Sequence, residues 1–247
     1  MWLASGRRFQ RIQAKGLRGI GRAFRLRLGW RVVVWQDRMW EAYFRWRFGI
    51  STAGVIEPDQ LGYAQPGYHA YDPVAYADFR RVIKALPIRP GIDVFIDFGS
   101  GKGRVLILAA RHPFRRVIGV ELSPELDRLA HENLRRAKRW LRCREVETVV
   151  AVAGRFDVPE DATIMYIQNA FSGSVLDAVL ENIKVSLERA PRPVLLVSHS
   201  HYESYTFEQQ VRRCGWLRLH ATVRLARGTT AWIYTNVHRG TSPRRER

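Results

Sequence analysis

The sequence reads as an α/β protein: a doubly wound, mostly parallel seven-stranded sheet closing with an antiparallel C-terminal hairpin, plus a basic N-terminal helical extension. Three observations lead there. From Asp72 onward, short apolar runs alternate with amphipathic stretches, the pattern of strand–helix–strand units with right-handed crossovers. The run VFIDFGSGKGR at 94–104 is an apolar strand ending on an acid, then a glycine-spaced loop, then the start of a helix. Near the C-terminus, 216–225 and 230–237 are strand-like and separated only by Ala226-Arg227-Gly228-Thr229, a connection too short for anything but an antiparallel pair.

Residues 1–50 form the basic, aromatic-rich extension. No Asp or Glu precedes Asp37, whereas Lys and Arg hold nine of the first 36 positions. Leu17, Ile20, Phe24 and Leu28 recur at helical spacing, as do Val32, Trp35, Met39, Tyr43 and Trp46. For 1–28 the expectation is a solvated or surface-binding helix, weakened by Gly16, Gly19 and Gly21. For 30–48 it is a helix whose aromatic stripe packs on the main domain. Residues 51–72, rich in Gly, Pro and Tyr, read as an irregular connector able to pack over a pocket. The main domain follows at 73–238. Asp72-Pro73 fits an N-cap with proline at the first helical position, opening a helix through Phe79, Val82, Ile83 and Leu86 that ends before Pro87. Strands are expected at 94–98, 117–121, 146–152, 163–168 and 193–199, and helices at 102–111, 124–140, 174–189 and 204–214. Residues 239–247 form a basic tail.

A net charge of +18 and a pI near 10.9 suit polyanions: nucleic acid, ribosomal particles or anionic lipid. An arginine-rich genome composition explains the same excess on an ordinary enzyme. With 46% hydrophobic and 26% charged residues the chain is globular rather than disordered. No uncharged stretch reaches the length of a membrane span, and arginines at 7, 8, 11, 18 and 22 interrupt any secretory h-region, although the acid-poor start also looks like an organellar transit peptide. The expectation is a cytoplasmic protein, with a peripheral place at a membrane or ribosome left open. Cys143 and Cys214 fit neither a redox pair nor a zinc spacing and read as buried or half-buried free thiols; His199 and His201 lack a third ligand, so no metal is expected. Tyr71 and Tyr202 either close a pocket or merely pack.

The chemistry concentrates between 94 and 122. Glycines at 99, 101 and 103 permit a tight strand-to-helix turn and let a ligand approach bare backbone. Glu121 ends the next strand about 20 residues on, where a carboxylate accepts from both vicinal hydroxyls of a ribose. The loop is G-x-G-x-G rather than the dinucleotide G-x-G-x-x-G, and Arg104 takes the place of the third glycine. Asp97 suits a ligand with an ammonium or sulfonium near the loop and suits a pyrophosphate badly. Nicotinamide chemistry is therefore disfavoured.

On these residues the chain resembles the class I S-adenosylmethionine-dependent methyltransferases, whose Rossmann-like fold ends in the same hairpin. Their acid-x-Gly-x-Gly-x-Gly motif matches Asp97–Gly103, and their second acidic motif matches Glu121. The stretches Tyr43–Gly62 and 94–126 look like a bacterial group within that superfamily. Tyr71-Asp72-Pro73 and the DFGSGKGR loop weakly resemble protein-lysine methyltransferases. The resemblance implies S-adenosylmethionine as cofactor. Asp97, Gly99, Ser100, Gly101 and Gly103 would hold its methionine part, Glu121 its ribose, and Leu122 its adenine. Asn169-Ala170-Phe171 stands where relatives carry Asn-Pro-Pro-aromatic or Asn-Pro-Phe, so Asn169 and Phe171 would face the methyl acceptor. His199, at the carboxyl edge of the fifth strand, is a candidate general base.

Two departures qualify this. Relatives often carry an acid after the third strand, whereas Val150–Gly154 has none before Asp157; and Ala170 replaces a proline. Two readings follow. The first is an active methyltransferase whose acceptor is a nitrogen on a protein or RNA, because the basic flank suits a macromolecular or polyanionic surface. The second is a methyltransferase-like binding protein with weak or no catalysis, docking on RNA or an anionic membrane through residues 1–47.

Overall fold

The computed structural model describes residues 31–63, 66–199, 204–226 and 229–237. The expected helix over 1–28, His201, Tyr202 and the tail over 239–247 lie outside them. The described chain opens with helix α1, residues 31–48. The connector contains a short 3-10 turn, Pro58–Leu61, and joins α2 (Tyr76–Ala85). Strands and helices then alternate: β1 (Val94–Phe98), α3 (Arg104–Ala109), β2 (Arg116–Glu121), α4 (Pro124–Ala137), β3 (Glu145–Val150), β4 (Ala162–Gln168), α5 (Gly173–Arg189), β5 (Leu195–His199), α6 (Ser204–Cys214), β6 (Arg218–Arg224) and β7 (Thr230–Thr235).

The strands form one sheet in the order β3-β2-β1-β4-β5-β7-β6. All neighbours among β1 to β5 pair in parallel, and β7 runs antiparallel between β5 and β6. The short 226–229 connection forces that reversal, as the sequence implied. Every residue of β1 is buried, because helices cover both faces of a central parallel strand. On one side Phe79, Phe95 and Tyr166 pack with Leu106 and Val197; on the other Phe98, Met165, Leu176 and Val179 pack together. The chain turns in opposite directions after β1 and β4. That divergence opens a crevice beyond their carboxyl ends, the place where doubly wound sheets take ligands.

Two expectations change. Helix α2 starts at Tyr76, with Ala75 at the N-cap, and Asp72-Pro73 does not begin it. Residues 72–75 have no regular structure, and Tyr71 pairs with Ile56. Asp37 of α1 accepts from the Tyr76 amide at 2.8 Å, so the N-terminus of α2 is capped from another helix. The aromatic stripe of α1 is also divided rather than packed down as a whole. Phe44 is buried against Phe48, Tyr76 and Trp140, whereas Trp35, Met39, Trp40, Tyr43 and Trp46 are exposed. Among the described residues no helix is long and apolar enough to cross a membrane. Cys143 is buried, Cys214 is half-buried, and both are free.

Candidate active site

The crevice is built from the ends of three strands. Asp97 comes from β1, Glu121 ends β2, and Asn169 follows β4; all three line one cleft. The loop after β1 is locked to β2 by the amides of Gly99 and Ser100, which both donate to the Val120 carbonyl at 2.7 and 3.2 Å. The Gly101 amide donates to Glu121 Oε2 at 2.7 Å, and the Ser123 amide donates to Oε1 at 2.9 Å. Glu121 therefore has a structural part beside the one expected of it. It fixes the turn into α4, whose N-cap is Ser123, and it also faces the cleft.

The glycines do more than bare the backbone. Gly99 has φ +84, and a Cβ there would stand 2.4 Å from the Ala170 Cβ. A Cβ on Gly101 would stand 2.2 Å from the Tyr71 ring, and one on Gly103 3.1 Å from Ala130 of α4. Two of the glycines seat the chain's own Tyr71 and Ala170, and the third brings α3 against α4.

Asp97 and Glu121 are 3% and 4% exposed, and burial pushes both carboxyls above their ordinary values; the Glu121 charge adds to the rise at Asp97. Two buried acids repelling each other in one cleft suit a cationic ligand. Gln168 also lines the cleft, with an amide nitrogen that has no hydrogen-bond partner among the described residues. Two carboxylates that accept and one amide that donates fit a ligand that combines a cation with hydroxyl and amine groups, as S-adenosylmethionine does. Leu122, Ala151 and Ala153 supply an apolar wall beside Glu121.

The connector makes the opposite wall. Tyr68 bridges to Phe171, the His69 amide donates to the Ala170 carbonyl at 3.1 Å, and the Ser172 amide donates to the Gly67 carbonyl at 2.9 Å. Residues 67–69 thus lie like a strand along 170–172. Tyr63 and Tyr68 line the cleft, and their rings meet edge to face at 5.9 Å. Asn169 is the one non-glycine residue with positive φ, +47, among the described residues, and its amide donates to the His199 carbonyl at 3.1 Å. An Asn in this conformation marks a position held by its surroundings.

Of the residues expected from sequence, Asp97, Gly99, Ser100, Glu121, Leu122, Asn169 and Phe171 line the cleft together. Gly101, Gly103 and His199 do not line it. His199 is fully buried within β5 and holds the Asn169 turn through its carbonyl. The Ser100 amide and carbonyl are both used inside the loop, by Val120 and by the Gly103 amide, and its hydroxyl points at Gly119, where a Cβ would lie 2.7 Å from Oγ. Asp157 does not replace the missing acid, since it stands at the surface paired with Arg189. Among the described residues no cluster of His, Cys, Asp or Glu is arranged to hold a metal.

Sequence reasoning missed what Arg104 does. Its side chain leaves the glycine loop, is 3% exposed, and reaches Asp37 at 3.1 Å, Glu41 at 3.0 Å, the Thr52 hydroxyl at 2.8 Å and the Val74 carbonyl at 2.8 Å. It also stacks over Tyr76 at 4.3 Å. Glu41 in turn accepts from the amides of Thr52 and Ala53 at 2.6 and 2.9 Å, and the Tyr71 hydroxyl donates to the Thr52 carbonyl at 2.6 Å. One connected network therefore runs from α1 through the connector to the Tyr71 ring on Gly101. The signal was present. Asp37 and Glu41 are the first two acids of the chain and lie one helical turn apart.

The family model of a methyltransferase domain matches residues 96–192. The fold is that of solved methyltransferases. An RNA methyltransferase from Salinibacter ruber, in complex with S-adenosyl-L-homocysteine, is 24% identical with a TM-score of 0.50, over 70% of this chain and 97% of that one. A SAM-dependent methyltransferase from Aquifex aeolicus is 16% identical with a TM-score of 0.50, over 65% of this chain and 90% of that one. No curated protein matches the chain.

Proposed function

We propose that the domain is a class I S-adenosylmethionine-dependent methyltransferase, that the cleft beyond β1, β2 and β4 is its cofactor site, and that the methyl acceptor is a nitrogen on a protein or an RNA. The observation that carries the site assignment is the buried pair Asp97 and Glu121 on the floor of one cleft. Asp97 offsets a cationic ligand. Glu121 keeps acceptor capacity beyond its two backbone amides and takes hydroxyl donors, while Leu122, Ala151 and Ala153 pack an apolar ring face. Bound S-adenosylmethionine supplies a methyl group on a sulfonium already activated for in-line displacement. What remains for the protein is alignment, exclusion of water and disposal of a proton. Asn169 brings an amide group to the acceptor side, and Phe171 with Tyr68 walls that side off. The absent acid after β3 leaves Ala151 and Ala153 at that wall and places the polar recognition on Glu121 and Gln168.

A macromolecular acceptor is supported by the charge of +18, which draws polyanionic surfaces to the domain. The test is transfer from cofactor carrying a labelled methyl group to a fractionated cell lysate. Label in protein or RNA that is lost in Glu121→Ala supports the reading. Label confined to small molecules would overturn the acceptor assignment, and no transfer with intact cofactor binding would favour a binding role.

A further inference from the structure

Helix α1 presents two opposite faces. Val33, Asp37, Glu41, Phe44 and Phe48 turn toward the domain, with Val33 and Phe44 buried. The opposite face carries Val32, Trp35, Met39, Tyr43 and Trp46, all exposed, Trp35 by 62% and Trp46 by 81%. Steps of three and four residues place these five side chains in one line along the helix. A contiguous apolar line of this kind marks a surface that something covers. Arg31, Arg38 and Arg45 are exposed and recur every seven residues, so they form a row along one edge of the line; exposed Arg47 stands on the other edge.

The charge on this helix is sorted. Its two acids, Asp37 and Glu41, point inward and are paired with Arg104. Only cations therefore border the apolar line, and the chain on its N-terminal side adds further Lys and Arg without an acid.

We infer that this face of α1 docks on an anionic lipid bilayer. The line is one side of a single helix and suits a flat partner rather than an inserted segment. Trp and Tyr have an apolar body and a polar tip and settle at the headgroup level, where Val32 and Met39 reach the acyl boundary. The arginine row meets anionic headgroups. Nucleic acid explains the arginines but gives Val32 and Met39 nothing to bury against. A neutral protein groove explains the apolar line but not the row of cations.

The experiment is sedimentation of the full chain with phosphatidylcholine vesicles, with and without phosphatidylglycerol, at low and high salt. Binding is expected only with phosphatidylglycerol and is expected to weaken with salt. Trp35→Ser/Trp46→Ser lowers the partition about tenfold or more, because an interfacial helix binds through its buried apolar area as well as its charge. Arg31→Gln/Arg38→Gln/Arg45→Gln weakens the preference for the anionic lipid, part of which the remaining Lys and Arg keep. Neither variant alters the domain core, so each keeps the parent's thermal midpoint. Absence of vesicle binding, or equal binding by the parent and the tryptophan variant, would overturn the inference. So would binding of a single-stranded RNA, without vesicles, that depends on the same tryptophans.

Discussion

Asp97 sits where a carboxylate is least at ease, buried beside a second acid. Its titration is raised by burial first and by Glu121 second, and Glu121 is raised in the same direction. A folded-state value above the unfolded one favours the fold below the ordinary carboxylate range, and that contribution disappears as pH rises through the raised value. The ligand-free protein is therefore expected to be more stable in mild acid than its surface charges suggest. Asp97→Asn should raise its thermal midpoint near neutral pH and flatten that dependence, while weakening S-adenosylmethionine binding at least tenfold. Melting curves against pH and a titration of the variant read both effects. Gly99 makes a steric prediction. A methyl there meets Ala170 at 2.4 Å in a left-handed backbone, so Gly99→Ala should cost about 2–4 kcal/mol. At Gly173, with φ +59 and nothing within 4 Å, alanine should cost only about 1 kcal/mol; denaturant unfolding separates the two. Sequence made the acids and glycines visible, since strand, loop and next strand lie within one short stretch. It could not show that Gly99 and Gly101 seat Ala170 and Tyr71, because those contacts join segments far apart in the chain.

Helix α1 shows how one arginine joins an appendage to the glycine loop. The guanidinium of Arg104 is the first side chain of α3, directly after the glycines, and its bonds to Asp37 and Glu41 hold α1 in place. Removing one partner of a buried pair leaves the other uncompensated, so Arg104→Met should cost about 3–5 kcal/mol and expose the 49–75 segment to limited proteolysis. Lysine should not rescue it, because the site uses a planar fork with several separate acceptors. At Glu41 burial opposes the charge, yet Arg104, with the Thr52 and Ala53 amides, holds the carboxyl below its ordinary value. A lowered value gives stability above the unfolded titration that is lost as pH falls through the folded one. Docking of α1 should therefore loosen in acid, read by the rate of cleavage between α1 and α2 as pH falls. The strands and most helices were legible to within a few residues from their periodicity. The start of α2 was not, because Asp72-Pro73 has every local mark of a cap while the actual cap is Asp37, contributed across space. The exposed half of the aromatic stripe was not legible either: spacing shows which side chains share a face, not what that face meets.

The molecule joins an ordinary crevice to an unusual surface. Alternating strands and helices, a glycine loop and a tight terminal turn were sufficient to foresee the sheet with its antiparallel close, because parallel units leave few topologies open. The acceptor was not legible, because binding residues tend to sit on loops, and here the pairing of 67–69 with 170–172 appears only in the folded chain. Calorimetric titration of the full chain with S-adenosylhomocysteine tests whether the cleft is a cofactor site. Saturable binding at one site, at least tenfold weaker in Glu121→Ala, is the predicted result. No detectable heat with S-adenosylhomocysteine or S-adenosylmethionine, or equal affinity in Glu121→Ala, would contradict it.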